Sequence, residues 1–169
     1  MKDFRDLFLY ELKELYWAEM QSAKMMPDVI RVARSSKLKK ALEDHLAETE
    51  AQVERLEQIS NEMHEKFGKG KCLSFQGMWD EWKQIVKEHF DDDVQDAAII
   101  SFMQKIQHYE IACYGTLKTF AEHLDMHQGK SLLDQSIKEE ALAKKKLMSL
   151  ALDSGGINSK ACKKKSAWF

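Results

Sequence analysis

Proline occurs once in this chain, at Pro27, and glycine seven times. So little of either excludes the turn-dense compositions of β-sandwiches and the low-complexity compositions of disordered chains. Cysteine is sparse as well. Cys72, Cys113 and Cys162 form no C-x-x-C pair, and an odd set of three gives no disulfide framework and suits a reducing compartment, so a cytoplasmic location is expected. Long apolar runs are missing: the opening MKDFRDLFLYELKELY is broken by charges every two or three residues, leaving neither a signal-peptide core nor a membrane span, there or elsewhere. There is no excess of basic charge. A formal net charge of -2 argues against a dedicated nucleic-acid binder. No P-loop, dinucleotide fingerprint or Ser/His/Asp order is visible.

What is present is helical periodicity. The 169 residues, 44% hydrophobic and 32% charged, fit one all-α domain with a substantial core. Helix one is predicted from Asp3 to about Arg34 by Phe4, Leu7, Phe8, Leu12, Leu15, Ala18 and Met26, with a kink or break at Pro27. Ser35-Ser36 supplies a turn and an N-cap. Helix two follows from Lys37 to about Lys66, its inward stripe running Leu38, Leu42, His45, Thr49, Gln52, Val53, Leu56, Ile59, Met63. Phe67 to Cys72 reads as a loop. A shorter, aromatic-rich helix spans Ser74 to Phe90, with His89 on its stripe, and Asp93 is placed to cap the helix after it. That acidic run lacks the alternating ligands and glycine of a calcium loop.

Helix three, Val94 to about Leu124, buries Ile99, Phe102, Met103, Ile106, Cys113, Tyr114, Leu117, Phe120 and Ala121 on one side when projected at ~100° per residue. Glu110 falls at the centre of that side. Helix four, Lys130 to about Leu152, turns Leu133, Ile137, Ala143, Leu147 and Ala151 inward, with Glu140 at the centre and Lys144 one turn on. The bundle domain is therefore set at 1–152. Residues 153–169 carry lysines and no helical stripe, and are expected to be a flexible basic tail.

Short links inside each helix pair and a long connection between the pairs describe a ferritin-like four-helix bundle with an extra crossover helix, a fold that places inward carboxylates and histidines around metals. Glu19, Glu110 and Glu140 lie inside apolar stripes on three helices, and helix two adds His45 with Glu48 beside it. Each is a candidate metal ligand, and carboxylate with imidazole suits iron or manganese. A plainer reading keeps each as a satisfied core residue: His45 hydrogen-bonded, Glu140 paired with Lys144, Glu110 bonded to Gln107, Tyr114 or Tyr16. Met20, Met25 and Met26 are expected to pack the core, Cys113 to fill it, and Cys72 and Cys162 to be loop and tail thiols without a flanking base. The remaining histidines, His64, His89, His123 and His127 among them, read as surface residues.

Four phrases, LFLYELKELYWAEMQ, HLAETEAQVERLEQI, DAAIISFMQKIQHYEIACYGTL and EEALAKKKL, resemble the YciF/YciE-like stress-protein family of the ferritin-like superfamily, over nearly the whole chain to about Leu152. The resemblance implies a bacterial stress-response protein, often a homodimer, with a candidate di-metal carboxylate site. It implies that Glu19 stands for the glutamate of the family's AEKQ phrase, His45 and Glu48 for HLEET, Glu110 for the second glutamate of VEHYE, and Glu140 for the EEEKATD segment. Two positions depart from it: Gln107 stands where that phrase has Glu, and Lys144 where it has Asp. Lys144 could balance Glu110 and Glu140 in place of a metal. The alternative is thus a metal-free stress or interaction scaffold acting through a dimer surface and aromatics such as Trp79 and Trp82. Whether the chain is an enzyme is open at this point.

Overall fold

The computed structural model describes residues 2–88 and 90–163, and His89 and the lysines beyond Lys163 lie outside it. Among the described residues six helices follow one another: α1 Phe4–Val32, α2 Ser36–Glu62, α3 Leu73–Ile85, α4 Asp92–His123, α5 His127–Leu152 and α6 Ile157–Lys163. α1, α2, α5 and α4 pack in that cyclic order, each against the next, and α4 closes on α1. The result is a four-helix bundle. α3 lies on α1 and α4, and α6 on α4 and α5. No described helix is long and apolar enough to cross a membrane.

Local chemistry sets the helix ends. Asp3 caps α1 by accepting the Asp6 N–H at 2.8 Å, and Ser35 caps α2 through the Leu38 N–H at 3.4 Å. α1 runs on through Pro27 as one helix, so of the expected kink or break the break does not occur. The ring stands on an exposed position, where water can take the carbonyl left without its donor. α2 stops four residues short of the sequence expectation, because His64 turns into the left-handed region with φ 58. The N-cap of α4 is Asp91, with Asp92 and Asp93 in its first turn, so Asp93 is not the cap.

One end of the bundle gathers the start of α1 with the ends of α2 and α4: Arg5 donates to the Met63 carbonyl at 3.0 Å, and the Phe4 and His123 rings meet edge-on. At the other end, the buried carboxylate of Asp96 near the start of α4 accepts the backbone N–H groups of Arg34 and Ser35, both at 2.7 Å. α2 and α4 therefore run parallel, and residues 63–91 must travel the length of the bundle between them. The first leg of this crossover is held along α1. Phe67 stacks on Tyr16 at 4.1 Å, Trp17 Nε1 donates to the Gly68 carbonyl at 3.0 Å, and Gln21 accepts the Cys72 N–H at 2.8 Å.

Three expectations need correction. Trp82 is not an exposed aromatic: it is 2% exposed and stacks on Phe102 at 4.9 Å, which makes α3 part of the core. Met20 is exposed, while Met25 and Met26 are buried. As far as residue 163 the chain after Leu152 is not an unstructured tail, since Ile157–Lys163 is helical and Ile157 is buried in the same core as Ile99 and Ala151, while residues 164–169 of the expected tail lie outside the described residues.

Candidate metal centre

The midpoints of the two hairpins decide which residues share a level. Glu110 and Glu140 sit equally far either side of Asp125, in the α4–α5 turn, and Glu19 and Thr49 equally far either side of Arg34, in the α1–α2 turn. A constant rise per residue then brings each pair face to face. Folding the sequence at its expected turns puts Glu19 level with Thr49 and Gln52, but leaves His45 and Glu140 about one to two turns from the others. α5 begins at His127 rather than Lys130, and this draws Glu140 up to Glu110.

The centre lies where the two main apolar clusters meet: Leu15, Leu56 and Leu117 on one side, Leu42, Met103 and Ile106 on the other. Glu19, Glu110 and Glu140 are each 0% exposed and His45 2%. Ligand atoms of His45, Glu110 and Glu140 lie within 4.8 Å of one another. His45 Nε2 is 3.9 Å from Glu140 Oε2, and its Nδ1 is 3.7 Å from Glu48 Oε2 on the outer side of the ring. Gln52 donates to Glu140 Oε1 at 3.0 Å. Tyr114 donates to Glu19 Oε1 at 2.8 Å. Behind Gln52, Arg55 grips Glu139 through two bonds of 2.6 and 2.7 Å.

Much of the polar surface here has no partner. Both oxygens of Glu110, Oε2 of Glu19 and Glu140, both ring nitrogens of His45 and both side-chain heteroatoms of Gln107 are buried without a hydrogen bond. Such groups are costly to leave bare. Burial pushes Glu110 well above the usual carboxylate range, with the charges of Glu19 and Glu140 adding to it. Glu19 is raised well too, by burial and then Glu140, against the Tyr114 hydrogen bond and Arg55. Glu140 is raised by burial in spite of His45 and Gln52. His45 is pulled down by burial, but Glu48 and Glu140 outweigh this and leave its pKa above the ordinary imidazole value.

The plainer reading of these residues fails at particular contacts. Tyr16 donates to Glu57, Tyr114 to Glu19 rather than Glu110, and Gln107 bonds to neither. Lys144 is half-buried and forms no ion pair with Glu110 or Glu140. The internal counter-charge that the sequence offered is therefore absent. A buried group of one histidine and two glutamates that could hold a metal ion is what the geometry contains.

The sequence matches the family described as a domain of unknown function, DUF892, over residues 3–161. The chain belongs to that family. Among its relatives, protein YciF of Escherichia coli K12 is 36% identical over 162 residues, covering 95% of this chain and 96% of YciF. The crystal structure of that protein, described as a stress protein, superposes with a TM-score of 0.86 over 90% of this chain and 97% of its own. YcfI of Rhodopseudomonas palustris gives the same TM-score, 0.86, at 36% identity, over 90% of this chain and 97% of YcfI. A protein of Xanthomonas campestris shares the fold alone, with a TM-score of 0.70 at 16% identity, over 87% of this chain and 89% of that one. The bundle with a crossover helix is thus the fold of DUF892 relatives as well as of this chain.

Sequence reasoning did not single out Asp96, which is the buried acceptor that ties α4 to the α1–α2 turn. It also missed a contact between Cys72 and Tyr109. The sulfur at the head of α3 lies 3.1 Å from the phenol oxygen on α4, and a long crossover separates the two in sequence.

Proposed function

We propose that this chain is a ferritin-like bacterial stress-response protein, cytoplasmic and homodimeric, that binds iron or manganese in the middle of its bundle. The observation that carries the reading is the set of orphaned polar atoms on His45, Glu110, Glu140 and Glu19, buried together with no lysine or arginine of the described residues in ion-pair contact with the three carboxylates. The donor set fits. One imidazole with carboxylates suits iron or manganese rather than a soft metal, and acidic groups raised by burial are those a divalent ion would relieve of their protons. His45 Nε2, Glu110 and Glu140 would hold the ion, with Glu19 next to them. Bound there, iron or manganese would supply redox chemistry toward oxygen or peroxide.

The other residues have roles that follow from their contacts. Glu48 faces the far nitrogen of His45 at 3.7 Å, and its charge favours a proton there, which leaves Nε2 to bind the ion. Tyr114 and Gln52 keep Glu19 and Glu140 aimed by single hydrogen bonds. The ferritin-like di-metal pattern needs two Glu-x-x-His pairs. With one buried histidine among the described residues and Gln107 where the resemblance has a glutamate, the di-metal site is degenerate in this reading and holds a single ion. The homodimer and the stress role are supported by the family likeness.

The test is elemental analysis of protein purified from cells supplied with iron and manganese, followed by aerobic addition of ferrous iron while absorbance is recorded. Near-stoichiometric metal is expected in the parent and its loss in Glu110→Gln and His45→Ala. A folded parent with no transition metal would overturn the reading in favour of the metal-free scaffold.

A further inference from the structure

A centre buried this deeply needs a way out to water. Along the bundle axis it is closed by apolar side chains, Leu15, Leu56 and Leu117 to one side and Leu42, Met103 and Ile106 to the other. Toward α1 and α4, Tyr114 and Gln107 are fully buried. The seam between α2 and α5 is different. Gln52 uses its amide nitrogen twice, donating to Glu140 Oε1 at 3.0 Å and to Glu139 Oε2 at 3.3 Å, so one amide links an inner glutamate to its outer neighbour. Arg55 clasps Glu139 in turn, and these two side chains are 13% and 21% exposed. Further back along α2 a second ion pair crosses the same seam, Lys146 to Asp44 at 2.6 Å. Between the two pairs the partly exposed Glu48 lies beside His45. We propose that this seam is the port through which solvent and divalent cations reach the centre, with Glu139 as its outer cation acceptor and Arg55 as the residue that keeps it shut. The cation's passage rests on the metal reading above, whereas the port itself does not.

Charge keeps the port closed at rest. The Arg55 guanidinium holds both oxygens of Glu139 in a fork, at 2.6 and 2.7 Å, and also donates to Ser136 at 3.1 Å. Three bonds from one planar group fix α2 to α5 at this level. A cation arriving from solvent therefore meets a positive charge in front of a carboxylate that is already paired. Opening the fork changes both conditions at once: it frees Glu139 to accept the cation and parts the two helices next to Gln52.

Gln52 is suited to the next position inward. Its Oε1 is buried with no hydrogen-bond partner among the described residues, and an amide offers donors on one side and an acceptor on the other. A half-turn of the amide exchanges the bonds it gives Glu139 and Glu140 for an oxygen facing the same pair. An oxygen among carboxylates is stable only with a cation between them, so the amide has one orientation for the empty seam and another for an occupied one. Thr49 Oγ1, one turn back on the same face of α2, is a further buried acceptor without a partner. Acceptors thus follow one another from the rim to His45 and Glu140.

The experiment measures access to the centre in two ways on the full chain. In chelated protein, diethylpyrocarbonate modification of His45 is timed by peptide mass spectrometry, with the exposed His108 as reference in the same sample. With cobalt(II) as the probe, uptake is followed by visible absorbance after rapid mixing, and release by transfer to excess chelator. Arg55→Lys keeps the positive charge and loses the fork. It should speed His45 modification by about tenfold, the worth of one charged hydrogen bond, and raise the uptake and release of cobalt by the same factor, leaving the dissociation constant unchanged. Glu139→Gln separates access from transit: the neutral reagent should reach His45 faster, while cobalt enters more slowly past an uncompensated guanidinium. Tyr16→Phe removes a bond of 2.9 Å between α1 and α2, Tyr16 to Glu57, and should leave the His45 rate as it is. Circular dichroism melts confirm that each variant is folded. A His45 rate in Arg55→Lys equal to that of the parent, or matched by Tyr16→Phe, would overturn the port. If the parent takes up no cobalt, the metal reading fails and the His45 rates alone decide; if cobalt binds at rates that Arg55→Lys leaves unchanged, the metal reading stands and the port fails.

Discussion

His45 has a carboxylate on either side of its ring, and the two do different things. Glu140, 3.9 Å from Nε2, belongs to the proposed ligand group, while Glu48, 3.7 Å from Nδ1 with its side chain 39% exposed, looks out to solvent. Glu48→Gln keeps the shape and removes the charge that favours a proton on Nδ1. It should weaken metal binding by about 10- to 100-fold, read by competition with a chelator, and leave the helical content unchanged. The sequence made the inward carboxylates legible, because a glutamate at the centre of an apolar stripe such as Ile106 to Leu117 is rare without a partner. It could not separate ligand from support in the His45-Glu48 pair, since both lie on the same side of α2. Nor could it bring Cys72 to Tyr109, a contact that exists only once the crossover has docked.

At the level of elements, the long helices were readable to within a few residues from their 3.6-residue period, and the misreadings fall where that period is absent. α6 is seven residues long and carries one buried anchor, Ile157, too little pattern to register. The loop before α3 was visible as glycine and charge, but not as a strap on α1. Gly70 is the tightest point of that strap, where an added Cβ would stand 2.3 Å from the Trp17 indole. Gly70→Ala must push Trp17 or the loop aside. It should destabilise the protein by about 1–3 kcal/mol, the usual cost of overpacking, and should speed alkylation of Cys72. Urea unfolding and thiol-labelling rates measure the two effects.

On the scale of the whole molecule, stability of the metal-free protein should depend on pH through the buried acids. The folded-state pKa values of Glu19, Glu110 and Glu140 are raised by burial. Their contribution is therefore complete below the ordinary carboxylate value and is lost as pH rises through the raised ones. His45, also raised, adds in the same sense above the ordinary imidazole value. Chelator-treated protein should melt at a lower temperature at about pH 8 than at about pH 5, in line with linkage. Metal-loaded protein should show a smaller loss, because the ion replaces the protons. A melting series at both pH values, with and without metal, checks the sign.

The parallel course of α2 and α4 also sets an order in time. Each hairpin closes through a short turn between neighbours in the chain, and contacts of that kind form early, whereas α1 can meet α4 only after the crossover has been laid down. Glu19 and His45 belong to the first hairpin, Glu110 and Glu140 to the second. The final docking step thus brings acids of like sign together, and whatever neutralises them, proton or metal ion, governs how fast the two halves of the molecule come to rest.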